Sequence, residues 1–276
     1  MGKWITLVQL AKGNNLNSRA GENFVALTQS LDVSMSTTEM WMCWSRYSWL
    51  RRFAVNADVL EVGSGQGLAR EYIAEVANSY IQSDYAISNL IRARADNEFP
   101  VLCASGDRLP IADQSFDVLA ALEMIYYLPD IPKFLSEVRR VLTSDGILFI
   151  TMPNPERRGF HRSPHSSTYP TADQLRILLE DAGFESEIYA AFAMSQTFPA
   201  RLLHACFTLA ERFHIVPRSL KGRARLKRLI QGKTSGFPGM DDLERRFAPQ
   251  GDGVEQKKVI DWRSWSLLYV VARPRA

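Results

Sequence analysis

A chain of 276 residues is long enough for one large α/β domain, or for one domain that carries a sizeable insertion. Apolar residues make up 46% of the chain and charged residues 23%, proportions that are ordinary for a soluble globular protein and favour neither disorder nor a disulfide-stapled scaffold. The formal net charge is only +3, so the composition does not favour a nucleic-acid-binding protein.

The positive charge is concentrated in one segment. Residues 218–233 contain seven Lys and Arg and no Asp or Glu, so the rest of the chain is net negative. Leu226, Leu229 and Ile230 lie at helical spacing among the basic residues, which predicts a basic amphipathic helix on an anionic membrane or over an acidic substrate. The alternative is a solvated helix that buries a narrow apolar stripe.

The cysteines indicate a reducing environment. Cys43, Cys103 and Cys206 lie far apart and form no C-x-x-C pair, which argues against a disulfide framework and against a zinc site. No metal site is therefore predicted.

There is also no apolar run of membrane-spanning length and no basic stretch followed by an apolar stretch at the N-terminus, so we expect a cytoplasmic protein.

The first 53 residues divide into two parts. Residues 1–32 are polar and weakly periodic, which predicts a loosely ordered arm. Within 37–53, aromatic residues recur at mixed three- and four-residue spacings, which predicts an amphipathic helix. Its aromatic side chains are Trp41, Trp44, Tyr47 and Trp49. They fit core packing or a lid over a ligand.

From residue 57 onward, strands alternate with helices. The predicted strands are Asp58–Val62, Ser79–Asp84, 101–104, Phe116–Leu122, 146–152, 185–191 and 265–272. The predicted helices end near Ala77 and cover 87–96, 131–142 and 171–182. Unbroken apolar strands that alternate with helices predict an α/β fold with a doubly wound, mostly parallel sheet of seven strands.

This pattern divides the chain into an arm, an α/β domain, an insertion and a final strand. Their predicted bounds are 1–32, 33–191, 192–258 and 259–276. The stretch 192–258 is too long for a loop in a compact domain, so we expect it to be a helical insertion or cap before the last strand.

A glycine-rich turn follows the first predicted strand of the domain. Gly63, Gly65 and Gly67 stand at alternate positions, where the missing Cβ atoms let a ligand approach the backbone. A dinucleotide fingerprint would need glycine at position 68, which is Leu68, so a nicotinamide-dependent dehydrogenase is not favoured. Glu61 adds an acid that suits a cationic ligand better than a pyrophosphate.

Two further acids follow the next strands. Asp84 ends the second strand, where a carboxylate can accept from two ribose hydroxyls, although it also suits a helix N-cap. Asp107 follows the third strand and could accept from an adenine amino group, although it also suits a turn. After the fourth strand, Glu123 to Pro129 stand where ligands bind in open sheets.

In order and spacing, these motifs resemble the class I S-adenosylmethionine-dependent methyltransferases, closest to the small-molecule branch called methyltransferase type 11. The resemblance covers about residues 57–184, and the last strand is consistent with it. It lies in Glu61 to Gly67, Asp84, 106–107, 115–117, 134–142, 145–146 and 151–154.

The resemblance implies S-adenosylmethionine as cofactor. The glycine-rich turn would hold its methionine part, the acid after the second strand its ribose and the acid after the third its adenine, with Tyr85 near the adenine edge and Glu123 as a positioning group. The implied cofactor-binding residues are Glu61, Gly63, Ser64, Gly65, Gly67, Asp84, Tyr85, Asp107, Arg108 and Glu123.

The catalytic candidates are fewer. Related proteins often carry a Glu-His pair before Leu-Pro, but Tyr126 and Tyr127 stand there, which weakens the case for an imidazole base on this loop. His161 and His165 follow the fifth strand and are candidate bases, with Tyr127 next. Each histidine also fits an ordinary polar loop residue.

The predicted function is therefore methyl transfer to a small-molecule acceptor, at a hydroxyl oxygen. The alternatives are a non-catalytic protein that binds the cofactor, an aminopropyl transferase, and a methyltransferase for a lipid-linked or sugar substrate. No nucleic-acid partner is expected, and the sequence does not predict the oligomeric state.

Overall fold

A computed structural model describes residues 35–94, 99–163, 165–194, 234–255 and 261–275. The predicted N-terminal arm, 1–32, lies outside the described residues. So does the predicted basic helix within 218–233, together with Cys206.

The described elements alternate as the sequence predicts. The strands are β1 (Met35–Ser36), β2 (Asp58–Val62), β3 (Ser79–Asp84), β4 (Val101–Cys103), β5 (Phe116–Leu122), β6 (Leu142–Pro153), β7 (Phe184–Ala193), β8 (Thr234–Ser235), β9 (Val254–Glu255) and β10 (Trp265–Pro274). The helices are α1 (Thr37–Ala54), α2 (Arg70–Ala74), α3 (Ile87–Arg94), α4 (Ile131–Val141), α5 (Ala172–Asp181) and α6 (Met240–Phe247).

Eight of these strands form one sheet, in the order β4-β3-β2-β5-β6-β10-β7-β9. Strands β4, β3, β2, β5 and β6 are mutually parallel, and β10 pairs antiparallel with both β6 and β7. The mostly parallel α/β sheet predicted from the sequence is therefore confirmed. The strand count differs by one, because the two-residue β9 pairs antiparallel with β7 at the edge.

A hydrophobic layer covers each face of the sheet. Helices α4 and α5 bury Phe134 and Leu175 on one face. Helices α1, α2 and α6 bury Leu50, Ile73 and Phe247 on the other. Because both faces are covered, the central strands are mostly apolar and show no regular polar alternation.

Helix α1 begins at a capping box in which Ser36 and Glu39 satisfy each other's backbone N–H groups. Of its predicted alternatives, core packing describes most of its aromatic residues. Trp49 stacks on Phe149 with ring centroids 6.1 Å apart. Tyr47 is buried as well, but it also lines the cavity described below.

Residues in and after α6 hold α1 in place through side-chain hydrogen bonds. The indole N–H of Trp44 donates to Glu244 at 2.6 Å, and that of Trp49 donates to Asp252 at 2.9 Å. These residues belong to the predicted insertion, whose described part therefore packs on the domain. Within the described ranges, no helix is both long and apolar enough to cross a membrane.

Candidate active site

A cavity of about 540 Å³ opens at the carboxyl ends of the parallel strands, where open α/β sheets bind their ligands. Its wall includes backbone of the glycine-rich turn and side chains that follow β3, β4 and β5. Helix α1 supplies Arg46 and Tyr47. The lining combines apolar groups with a small number of polar ones, as small-molecule sites do.

The glycine-rich turn needs its glycines. Gly63, Gly65 and Gly67 have φ values of +75°, +59° and +75°, in the left-handed region that other residues rarely adopt. A Cβ atom on Gly63 would lie 2.7 Å from the Cβ atom of Met124. The turn therefore packs directly against the loop that follows β5.

Ser64 shows that this turn is built for a polar ligand. The residue is 6% exposed and lines the cavity, yet its Oγ atom is buried without a hydrogen-bond partner among the described residues. A buried hydroxyl without a partner is costly, so a bound polar group is expected there. The methionine part of S-adenosylmethionine, with its ammonium and carboxylate groups, meets this requirement.

Asp84 lies beside the turn and lines the cavity. Its Oδ2 atom accepts from the backbone N–H of Gly65 at 2.8 Å, and its Oδ1 atom accepts from that of Ala86 at 2.8 Å. Burial raises the pKa of this carboxyl, although both backbone bonds oppose the shift. Asp84 thus orders the turn before α3 and also presents a carboxylate to the cavity.

The residues that line the cavity near the predicted adenine position differ in part from those predicted from the sequence. Tyr85 and Ser105 line the cavity, but Asp107 and Arg108 do not. The Asp107 carboxylate accepts from the Ser105 hydroxyl at 2.5 Å and pairs with Lys133 at 3.2 Å. The Ser105 bond and the lysine lower the pKa of Asp107. The adenine role of Asp107 remains a prediction, and Ser105 joins it as a candidate.

Glu61 does not line the cavity either. Its side chain is buried and accepts from the hydroxyl of Tyr47, at 3.0 Å, and from that of Tyr80. Burial raises the pKa of Glu61, whereas these hydrogen bonds lower it. Glu61 is thus linked to the cavity through Tyr47, which does line it. A direct contact between Glu61 and the cofactor stays a prediction.

Glu123 faces the cavity at the end of β5. Tyr126 donates to its Oε2 atom at 3.3 Å, while Oε1 is buried and receives no hydrogen bond of good geometry in the described part of the chain, although the nearby Thr151 hydroxyl lowers the pKa of this carboxyl. Its backbone φ is +57°, a strained value for a residue other than glycine and one that often marks a functional position. Burial raises the pKa of Glu123, and the nearby Arg46 guanidinium opposes that shift.

Sequence reasoning missed Arg46. It is 7% exposed and lines the cavity, and among the described lining residues it is the only cation. Burial alone would lower the pKa of Arg46. Cys43 and Glu123 raise it by more than that, so the pKa lies above its ordinary value and the guanidinium stays charged. One arginine within an aromatic helix forms no spacing motif, so nothing in the sequence singled it out.

Of the three predicted catalytic residues, one lines the cavity and two do not. Tyr127 lines the cavity, and burial raises the pKa of its hydroxyl, which therefore stays protonated at neutral pH. His161 and His165 are exposed on the loop after β6 and do not line the cavity. That loop is attached through Tyr169, whose ring stacks on Tyr126 with centroids 4.6 Å apart. The roles of the two histidines remain predictions.

Known proteins match the chain both in sequence and in fold. A methyltransferase-domain family model matches residues 60–150. A probable S-adenosylmethionine-dependent methyltransferase of Mycobacterium tuberculosis is 30% identical over 186 residues, which cover 63% of this chain and 67% of that protein. One from Mycolicibacterium smegmatis is 34% identical over 148 residues, or 51% of this chain and 57% of its own.

Solved structures show the same fold. A methyltransferase of this type from Archaeoglobus fulgidus superposes with a TM-score of 0.56 at 15% identity, over 85% of this chain and 94% of its own. The Mycobacterium relative, the family model and the cavity at the strand ends agree. The chain belongs to the class I S-adenosylmethionine-dependent methyltransferases, and S-adenosylmethionine is its cofactor.

Proposed function

We propose that this methyltransferase acts on a hydroxyl group of a small-molecule acceptor, and that Glu123 accepts the hydroxyl proton. The proposal rests on the position of Glu123, which lines the cavity beside the end of β5 and has one buried carboxylate oxygen, Oε1, without a hydrogen-bond partner in the described part of the chain. The bound cofactor supplies an activated methyl group, so the chain must orient the acceptor, exclude water and receive one proton.

Residues on the other side of the cavity would hold the cofactor. Ser64 offers its hydroxyl to the methionine part, Asp84 offers its carboxylate to the ribose, and Tyr85 with Ser105 borders the adenine. Glu61 would act at one remove by fixing the Tyr47 hydroxyl. These assignments leave Glu123 as the other carboxylate among the described lining residues.

The environment of Glu123 suits a proton acceptor. A base works best when its pKa lies close to the working pH, and burial shifts the pKa of Glu123 upward in that direction. Arg46 limits the shift and favours the ionised form, which is the form that can take a proton. The exposed His161 and His165 lack such an enclosed position.

The size and lining of the cavity favour a small acceptor. A volume of about 540 Å³ falls within the range of small-molecule sites. Next to Glu123 the wall is largely apolar and aromatic, with Met124, Leu128 and Tyr127. Such a wall excludes water from the reacting groups, while the protonated Tyr127 hydroxyl can orient an acceptor oxygen.

The proposal is tested by incubating the enzyme and S-adenosylmethionine with a panel of acceptors. The panel contains phenols, hydroxy acids and sugars, with amines and thiols as matched comparators, and mass spectrometry identifies the methylated products. We expect methyl ethers. Glu123→Gln should lower kcat by about 10²–10⁴-fold while S-adenosylhomocysteine still binds. Glu156→Gln, an exposed acid on the loop after β6, serves as control. Methylation at nitrogen or sulfur alone, or an unchanged rate in Glu123→Gln, would contradict the proposal.

A further inference from the structure

Arg157 carries a positive charge that the proposed function does not use. It lies on the loop after β6, partly buried, and its Nε atom is buried without a hydrogen-bond partner among the described residues. In that part of the chain no carboxylate forms an ion pair with its guanidinium either. A guanidinium stays protonated at any ordinary pH, so partial burial without an anion is costly.

The turn that carries Arg157 is held to the sheet. The buried amide of Asn154 donates to the backbone carbonyls of Trp262 and Trp265 at 2.6 and 3.0 Å. The backbone N–H of Arg157 donates to the carbonyl of Asn154 at 3.3 Å. Its guanidinium lies over the ring of Phe160, 5.8 Å from the ring centroid. These contacts set the position of the charge within the fold.

Arg157 lies on the side of Glu123 that faces away from the cofactor groups. The sheet order runs β4-β3-β2-β5-β6, and the residues assigned to the cofactor follow β2, β3 and β4. Glu123 follows β5, and Arg157 follows β6, the next strand. The two charges are close enough to influence each other. Burial lowers the pKa of Arg157, and the carboxylate of Glu123 opposes that shift.

A row of aromatic rings connects the cavity wall with Arg157. Tyr127 and Tyr126 line the cavity, with ring centroids 4.5 Å apart. Tyr169 stacks on Tyr126, and Phe160 meets Tyr169 edge-on with centroids 4.8 Å apart. Arg157 is not among the lining residues, so it stands at the outer end of this row. A ligand that extends from the cavity along these rings would reach the guanidinium with its far end.

We propose that Arg157 binds an anionic group of the methyl acceptor, a carboxylate or a phosphate, at the end of the molecule opposite the methylated hydroxyl. The planar guanidinium pairs with either anion through two parallel hydrogen bonds. The inference rests on the proposed function, because it takes the hydroxyl to lie beside Glu123. It narrows the acceptor to hydroxylated acids and phosphate esters, since a neutral acceptor would leave the guanidinium unpaired.

Two matched pairs of probes test this: para-hydroxybenzoate against its amide, and glycerol phosphate against glycerol. Calorimetry on the full-length protein with S-adenosylhomocysteine bound measures their affinities without turnover. At least one anion should bind about ten- to a hundredfold more tightly than its neutral partner, because a charged hydrogen-bonded pair is gained. The pair that shows the preference distinguishes carboxylate from phosphate.

Arg157→Gln should remove this preference, whereas Arg158→Gln, which changes the exposed arginine next to it, should keep it. Arg157→Lys provides a second variant in case Arg157→Gln does not fold. It keeps the charge but loses the paired geometry, so the preference should shrink without disappearing.

Three results would overturn the proposal: a wild-type protein that binds neither anion more than twofold more tightly than its neutral partner, an Arg157→Gln protein that keeps the full preference, or one that weakens anion and neutral partner equally. The proposed function is judged separately, by the methylated atom and by the turnover of Glu123→Gln. Methylation at nitrogen together with an intact anion preference would reject the hydroxyl and retain the anion site at Arg157.

Discussion

Asp84 combines two tasks in one side chain, since it orders the Gly65 backbone and faces the cavity. Asp84→Ala should weaken S-adenosylhomocysteine by about 10- to 150-fold, which corresponds to a charge-assisted hydrogen bond of roughly 1.5–3 kcal/mol. Asp173→Ala removes an exposed acid on α5 and serves as control. Calorimetry decides the matter, and equal affinities in both variants would refute the assignment of Asp84 to the ribose.

Glu123 should give the reaction an acidic limb in its pH profile. Only the ionised carboxylate can accept a proton, so kcat should fall as the pH drops through the pKa of Glu123. Burial places this pKa above the ordinary value for Glu, about 4.3. The profile is measured with saturating cofactor, since Asp84 also has a raised pKa. The same limb in Glu123→Gln would show that another group is responsible.

The two loop histidines make a contrasting prediction. Because both are exposed and neither lines the cavity, His161→Ala and His165→Ala should each change kcat by less than about threefold once an acceptor is known. A general base typically contributes about 10²–10⁴-fold, so the two outcomes are easily separated. A loss of that size in either variant would return the role of base to the histidine.

At the scale of elements, α1 depends on the segment that follows α6. Asp252 accepts from Trp49 and Arg52, both at 2.9 Å, and from the backbone N–H of Val254 at 3.1 Å. Asp252→Ala leaves the buried Trp49 indole without its acceptor, so the free energy of unfolding should fall by about 1–3 kcal/mol.

Urea unfolding measures that loss, with Asp242→Ala as control, because Asp242 is an exposed acid of α6 whose ion pair is with Arg245. Affinity for S-adenosylhomocysteine should fall along with stability, since α1 also carries the cavity residues Arg46 and Tyr47. A stable Asp252→Ala protein with unchanged affinity would mean that α1 is held without this segment.

Elements with a strong local pattern could be predicted from the sequence, and those formed by distant contacts could not. The bounds of β2 and β5 were predicted correctly because apolar runs end at turn residues. The two-residue β9 has no periodicity and exists through its pairing with β7. The helix predicted to end near Ala77 stops at Ala74, within the usual uncertainty of helix ends.

The candidate site divides in the same way. The glycines of the glycine-rich turn could be identified from the sequence because their positive φ values disfavour other residues. Asp84 could be identified because it ends a buried strand. Arg46 and Ser105 reach the cavity through tertiary packing alone. Glu61 was expected to face the ligand, but hydroxyls of Tyr47 and Tyr80 engage its carboxylate, and such contacts cannot be read from spacing.

At the scale of the whole molecule, the basic segment 218–233 offers a test of surface binding. Each basic residue near an anionic membrane is worth about 1 kcal/mol, so the protein should sediment with anionic vesicles at low salt and less at moderate salt. Replacing Arg223, Arg225, Lys227 and Arg228 by Gln should abolish this. Equal and negligible sedimentation with anionic and neutral vesicles would exclude the membrane and leave an acidic substrate as the functional alternative to a solvated helix.

The hydrogen bonds from α1 to Glu244 and Asp252 have a consequence for the protein during its synthesis. Trp44 and Trp49 bond to partners 200 and 203 residues further along the chain. Ribosomes release the N-terminal part first, so α1 and the glycine-rich turn emerge long before these partners exist. A nascent chain, or one truncated before residue 252, lacks the full support of the wall that carries Arg46. We therefore expect tight cofactor binding only after translation has passed this point.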